Sequence, residues 1–165
     1  TGAVPLEKLV FPDLAGERRS LADPAFAGKA RLIVLFGSWC PNCYDASAYL
    51  VELRRRYGDA GLSVQGLAFE FGDDLARQTK VLERYRDHHG IDYPILVAGT
   101  SDKAAASEAF PVLDRVRAYP TTLFLDGTGR VRAVYTGFSG PATGAAHERL
   151  KQRFEGLIED LLAGR

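Results

Sequence analysis

The chain has no methionine, one tryptophan and only two cysteines among its 165 residues. So few cysteines exclude a framework of stapling disulfides. Standing at positions 40 and 43, they also enclose too short a loop for a bridge to remove much chain entropy from the unfolded state. A four-ligand zinc site is excluded with them, because no second cysteine pair exists to complete it. An excess of charge of one sign is missing too, since Lys+Arg and Asp+Glu both number 21. Without a broad positive field no nucleic-acid partner is expected, and Arg54-Arg55-Arg56 reads as a solvated helix end at the negative pole of the helix dipole. No run approaches the roughly 20 apolar residues of a membrane span. No signal peptide, internal repeat or low-complexity tract is visible. The glycine-rich stretch from Gly137 to Gly144 lacks the Gly-Lys-Ser/Thr ending of a phosphate-binding loop, so its glycines read as turn geometry. Neither a metal nor a cofactor is expected. A chain that starts on Thr1 and holds no methionine is expected to be a processed or trimmed product.

Both cysteines fall in Phe36-Gly37-Ser38-Trp39-Cys40-Pro41-Asn42-Cys43, directly after the apolar run Leu32 to Phe36. That run reads as a strand of a parallel sheet covered on both faces. A helix should follow, with Pro41 at its first position, where a missing N–H costs nothing, and Cys40 as its N-cap. Unpaired N–H groups and the positive end of the helix dipole converge there and favour the thiolate, so Cys40 is expected to be an exposed, low-pKa nucleophile. Cys43 opens the series Cys43, Ala46, Leu50, Leu53, Tyr57, one helical face turned to the core, and is expected to be the sheltered partner. An attacking sulfur beside a buried resolving sulfur is what thiol–disulfide exchange requires.

The remaining pattern fits a single domain, with residues 1–30 as an N-terminal cap and 31–165 as the core. The cap should hold a small hairpin or irregular structure and no chemistry. After a helix ending near Tyr57-Gly58, a second strand is read from Leu62 to Phe69. A helix capped by Asp73 or Asp74 then runs to about His89-Gly90. Tyr93 to Val97 suggests a further strand, and Thr100-Ser101-Asp102 the start of a short helix over Ala104 to Ala109 that Pro111 ends. Thr121 to Leu125 and Val131 to Tyr135 flank Asp126-Gly127-Thr128-Gly129 as an antiparallel hairpin, which makes the sheet mixed. Ala146, Leu150, Phe154, Leu157, Ile158, Leu161 and Leu162 mark a final helix packed on it. His88, His89 and His147, far from the motif in sequence, are read as solvent-facing.

This order, with Trp39-Cys40-Pro41-Asn42-Cys43 between first core strand and first helix, Tyr119-Pro120-Thr121-Thr122 and Asp126-Gly127-Thr128-Gly129-Arg130, resembles the thioredoxin fold. The cap and the extra strand and helix at about 93–116 resemble the TlpA/ResA-type thiol–disulfide oxidoreductases, which add such elements to a thioredoxin core. The expected fold class is therefore α/β, a central mixed β-sheet flanked by helices, with that cap and insertion. The resemblance implies a cis bond before Pro120 that sets Tyr119 beside the cysteines, and substrate contacts at Trp39, Tyr119 and Pro120. Pro120 read alone is a strand-opening proline, and Trp39 and Tyr119 are equally read as large apolar residues closing the core.

Two departures from the family pattern bear on the chemistry. Ordinary thioredoxins carry a buried Asp where this chain has Val34, so another group must handle the proton of Cys43. Glu70 and Asp73, at the end of the second strand, are the candidates, because chemistry in such sheets gathers at strand C-termini. Burial would raise the Glu70 pKa toward the value a proton-transfer group needs, whereas Asp73 also suits a helix cap. Secondly, Pro41-Asn42 lies between the cysteines where many relatives place proline immediately before the second one. This pair is expected to tune thiolate stability and reduction potential.

The resemblance implies a reductase that exchanges with protein disulfides, Cys40 attacking and Cys43 resolving, with a redox partner that recycles the pair. A monomer is expected, exported or tethered to a membrane outside this chain. The absence of any other cysteine suits an oxidising compartment, with cytoplasm left open. Two alternatives stand beside it. One is a module that holds a thiol client such as an apocytochrome without turnover. The other is a peroxidase, since peroxiredoxins share the fold, but they carry a Thr three residues before the attacking Cys, where this chain has Gly37.

Overall fold

The computed structural model describes residues 5–165. Positions 1–4 of the expected cap lie outside the described residues. The cap holds an antiparallel hairpin, β1 (Val10–Pro12) and β2 (Arg18–Ser20). The core then runs β3 (Ala30–Phe36), α1 (Pro41–Tyr57), β4 (Leu62–Glu70), α2 (Leu75–His89), β5 (Ile95–Thr100), α3 (Lys103–Ala109), β6 (Thr121–Asp126), β7 (Val131–Thr136) and α4 (Ala145–Leu162). Five strands form one sheet in the order β5-β4-β3-β6-β7. β3, β4 and β5 are parallel, whereas β6 and β7 run antiparallel to their neighbours. The sheet is mixed, as the hairpin at Asp126-Gly127 predicts.

Every residue of β3 is buried, which explains its unbroken apolar run: layers cover both faces of this central strand. The steps β3-α1-β4 and β4-α2-β5 advance the same way across the sheet, so two right-handed crossovers bring α1 and α2 to one face. On that face Gly66 of β4 lies under Phe36, and a Cβ there would meet the ring at 2.9 Å. Phe36 can therefore stack on Tyr85 of α2, ring centroids 5.6 Å apart. α4 joins α1 through polar ties, Tyr49 donating to Glu155 at 2.9 Å and Tyr57 to Glu159 at 2.8 Å. The cap covers the other face, where Ser63 and Gln65 of β4 both donate to the Phe26 carbonyl.

Local signals explain most boundaries. Asp74, not Asp73, caps α2 by accepting from the Arg77 amide at 3.2 Å, and Asp102 caps α3 from Ala105 at 2.9 Å. The third parallel strand is displaced from the expected Tyr93–Val97 to Ile95–Thr100. Pro94 has no N–H to give a ladder, so its carbonyl accepts from Gly66 and pairing begins after it. Beyond a bulge at Ala68/Phe69 the strand continues through Gly99 and Thr100, drawn on by Phe69 and Glu70.

α4 is locked down by Phe154, 1% exposed, whose ring meets Phe124 edge-on at 5.0 Å and Tyr135 at 5.1 Å. Phe154→Ala is expected to destabilise the protein by about 3–5 kcal/mol, because a cavity remains between α4 and the sheet. The midpoint of urea unfolding measures this.

Candidate functional site

The end of β3 delivers Gly37, Ser38 and Trp39 to a tight approach before α1. Cys40 is the N-cap: its Sγ accepts the Cys43 amide at 3.3 Å, and Pro41 occupies the first helical position. Both cysteines are free thiols. From the opposite side the Cys40 thiol donates to the Tyr119 carbonyl at 3.6 Å. The Tyr119–Pro120 peptide bond is cis, and Pro120 is buried immediately before β6. Thus α1 and the segment before β6, some eighty residues apart in the chain, meet at one sulfur.

Exposure differs from expectation at Cys40. It is 7% exposed, not an open surface thiol, because Trp39 and Tyr119 close over its flanks. It still lines a surface cleft of about 380 Å³ together with Ser38, Trp39, Pro41, Tyr44 and Asp45. Cys43 is 0% exposed and lies behind it, on the face with Ala46, Leu50, Leu53 and Tyr57, all buried. Burial, above all, pushes the Cys43 thiol far above its ordinary pKa. The hydrogen bond with Cys40 and the fields of Cys40 and Glu70 push the same way, and only the Gly37 amide opposes them. Cys43 is therefore a thiol at neutral pH. Pro41 and Asn42 are exposed on the first turn between the two.

Glu70, the last residue of β4, is 3% exposed. Its carboxylate accepts from the Ser38 amide at 2.8 Å and from the Ser38 hydroxyl, two residues before Cys40. Burial raises its pKa, and the two Ser38 bonds, which favour the charged form, restrain the rise. Asp73 stands apart, exposed in the turn before α2. Val34 fills its position with apolar core, 2% exposed. Glu70 is thus the one of the two candidate carboxylates that is buried against the cysteine loop.

Trp39 is held by donating its indole N–H to the Phe69 carbonyl at 2.8 Å. It stacks on Phe71 with centroids 5.0 Å apart and meets Tyr119 edge-on at 5.6 Å. Gly37 is required by this packing, since a Cβ there would lie 2.2 Å from the Trp39 indole nitrogen. No threonine fits at that position while Trp39 keeps its place, which removes the arrangement of a peroxiredoxin site.

Sequence patterns had no means of finding several of the neighbours. Tyr85 of α2 donates to the Cys43 carbonyl at 3.0 Å and pairs with Ser47 at 2.8 Å. Tyr44 hydrogen-bonds His88 and packs against His89. Only His88 is exposed as expected. His89 is half-buried between Tyr44 and Tyr85, and His147 is half-buried with Nδ1 2.8 Å from the Ser139 carbonyl. Helical spacing places Tyr44 and Ser47 on α1 and Tyr85, His88 and His89 on α2, but only the packing of the two helices joins them. Among the described residues no cluster of His, Cys, Asp and Glu could hold a metal ion, and no helix is long and apolar enough to cross a membrane.

Two measurements follow. Iodoacetamide on the native dithiol protein should add one group, at Cys40, with Cys43 modified only after unfolding, as peptide mass mapping would show. For Glu70, a folded pKa above the ordinary 4.5 means that the native state keeps a proton which the unfolded chain releases. This group's contribution to stability is therefore greatest below 4.5 and is lost as pH rises through its folded value. Glu70→Gln should gain on wild type in melting temperature across that rise, and a gap that does not change with pH would contradict the assignment.

Against this geometry the chain matches the family model described as Redoxin over residues 3–148. It is 27% identical over 148 residues to the thiol-disulfide oxidoreductase ResA of Geobacillus thermodenitrificans, covering 90% of this chain and 73% of that protein. It is 25% identical to the thiol:disulfide interchange protein DsbE of Allochromatium vinosum, covering 78% of this chain and 62% of that protein. The chain is thus shorter than these curated relatives. A thiol:disulfide interchange protein of the thioredoxin family from Chlorobium tepidum superimposes over 98% of this chain and 99% of its own, with a TM-score of 0.65 at 22% identity. This chain belongs to the Redoxin family, among its TlpA/ResA-type members on the thioredoxin fold.

Proposed function

We propose that this chain is a thiol–disulfide oxidoreductase that reduces disulfides in protein clients. The observation that carries this is the seat of Cys40, a sulfur at a helix N-terminus that faces a cleft, with Cys43 held as a thiol directly behind it. The Cys43 amide, which has no carbonyl partner within the helix, is aimed at the Cys40 sulfur, and the cleft gives a client sulfur access to it.

The thiolate of Cys40 attacks one sulfur of the client disulfide. A mixed disulfide forms, and the other client sulfur leaves as a thiolate. Cys43 then loses its proton and attacks the Cys40 sulfur, which closes the Cys40–Cys43 disulfide and releases the second client thiolate. Two electrons have passed to the client. A dithiol or thiol redox partner returns the pair to the reduced form by the reverse chemistry.

Glu70 is the group we assign to the Cys43 proton. Its negative charge opposes a thiolate at Cys43, so transfer of that proton to the carboxylate removes the repulsion in the same step. Its raised pKa brings it toward the range of a working acid–base group. Trp39, Tyr119 and Pro120 form the walls against which the client chain lies, and Pro41-Asn42 adjusts the thiolate and the potential. Clients are protein thiols and disulfides. An extracytoplasmic site of action is supported by the confinement of both cysteines to the motif, which leaves no stray thiol to mispair in an oxidising compartment.

Insulin reduction driven by dithiothreitol should fall to the uncatalysed rate in Cys40→Ser. Cys43→Ser should instead accumulate the mixed disulfide. Glu70→Gln should slow resolution by about 10²-fold or more and flatten its pH profile. Equal rates for wild type and Cys40→Ser would sink the proposal. Equilibration with glutathione gives the potential, which should lie well below the glutathione couple for a reductant.

A further inference from the structure

The last two residues of β4 and the one that follows them all grip the loop before Cys40. The Phe69 carbonyl takes the Trp39 indole, the Glu70 carboxylate takes Ser38, and the Phe71 ring stacks on Trp39 at an interplanar angle of 26°. The first two are buried, whereas Phe71 is 67% exposed, more than any other large hydrophobic residue described. It is not a loose side chain on a loose turn. Gln78, buried in α2, donates its side-chain amide to the carbonyls of Phe71 at 3.5 Å and Gly72 at 2.7 Å. Asp74 caps α2 two residues further on. A fixed aromatic shelf therefore stands open to solvent beside the reacting sulfur.

Its surroundings indicate what it takes. Leu75, 44% exposed, opens α2 four residues after Phe71, and Tyr44, 46% exposed, lines the Cys40 cleft. Asp45 lines the same cleft, and Asp73 and Asp74 follow Phe71. None of these three acids has an ion-pair partner among the described residues. An apolar platform bordered by unneutralised acids complements an apolar side chain flanked by basic ones.

We propose that the Trp39–Phe71 shelf is a specificity subsite: it takes an apolar side chain next to the reactive cysteine of an extended client polypeptide that carries Lys or Arg on either side. This rests on the exchange chemistry proposed above, and Phe71 selects the client without taking part in electron transfer.

The test uses short peptides with one cysteine, each as its mixed disulfide with 2-mercaptoethanol, followed by chromatography. The residue beside the cysteine is Phe or Ser, and the flanks are Lys or Glu. Wild type should favour the Phe peptide over the Ser peptide in kcat/KM by about tenfold, the scale of one well-packed aromatic contact. Phe71→Ser should bring that ratio close to one, and Phe71→Leu should keep part of it. The preference for Lys flanks should decline with added salt.

Binding is read separately in Cys40→Ser, from quenching of Trp39, the only tryptophan, by a Phe peptide whose cysteine is replaced by serine. Quenching that Phe71→Ser abolishes supports the subsite even if wild type turns nothing over, in which case the exchange chemistry fails and the shelf stands. Turnover at equal rates for Phe and Ser peptides overturns the shelf and leaves the exchange chemistry intact. An unchanged ratio in Phe71→Ser, with a shift from dimer to monomer in sedimentation, would assign the face to a second copy of the chain and overturn the proposal.

Discussion

One hydrogen-bonded seat organises the molecule: the Cys43 amide donating to the Cys40 sulfur at the start of α1. At a helix N-terminus that amide has no carbonyl partner within the helix, so a side chain from the cap must take it. Here the cap is a sulfur. The bond that caps the helix is then the bond that seats the Cys40 sulfur, and the second cysteine is placed one turn inside by the same helix. The two sulfurs are chemically alike and made unlike by burial.

What surrounds this seat comes mainly from the parallel pairing of β3 and β4. The register that sets Phe36 opposite Ala68 brings the last two residues of β4, and Phe71 after them, alongside the loop leaving β3. Backbone carbonyl, carboxylate and aromatic ring each take a different role there, at Phe69, Glu70 and Phe71. Trp39 is fixed as a result, and Gly37 has to be glycine because the indole lies against it. The antiparallel side of the sheet contributes differently: β6 starts at Thr121 against Leu35, which brings Tyr119 and its carbonyl to Cys40.

The elements were largely readable from periodicity and caps. Asp102, Gly90 and the Asp126-Gly127 turn mark boundaries by local chemistry that operates without tertiary contacts. The displaced strand Ile95–Thr100 shows where this ends. Ala98 and Gly99 carry no strand signal of their own, and the strand runs through them to Thr100 because Phe69 and Glu70 offer a ladder beyond a bulge. Exposure at Cys40 departs from the expectation for a related reason. Capping predicts the position of the sulfur on its own helix, but the residues that shade it come from the loop before and from a segment far along the chain.

The sequence by itself determined the chemistry: two cysteines at helical spacing after a buried strand, with Pro41 to start the helix and an apolar face to bury Cys43. Those are local facts, fixed by residue type and by short spacings along one helix. Tertiary structure decided everything that depends on segments meeting across the sheet. It buried Glu70 against Ser38 and left Asp73 in solvent. It joined Tyr85, His88 and His89 to α1, and it set Phe71 beside Trp39 as an open shelf. Strand register and helix packing make those contacts, and neither is a property of any single stretch of chain.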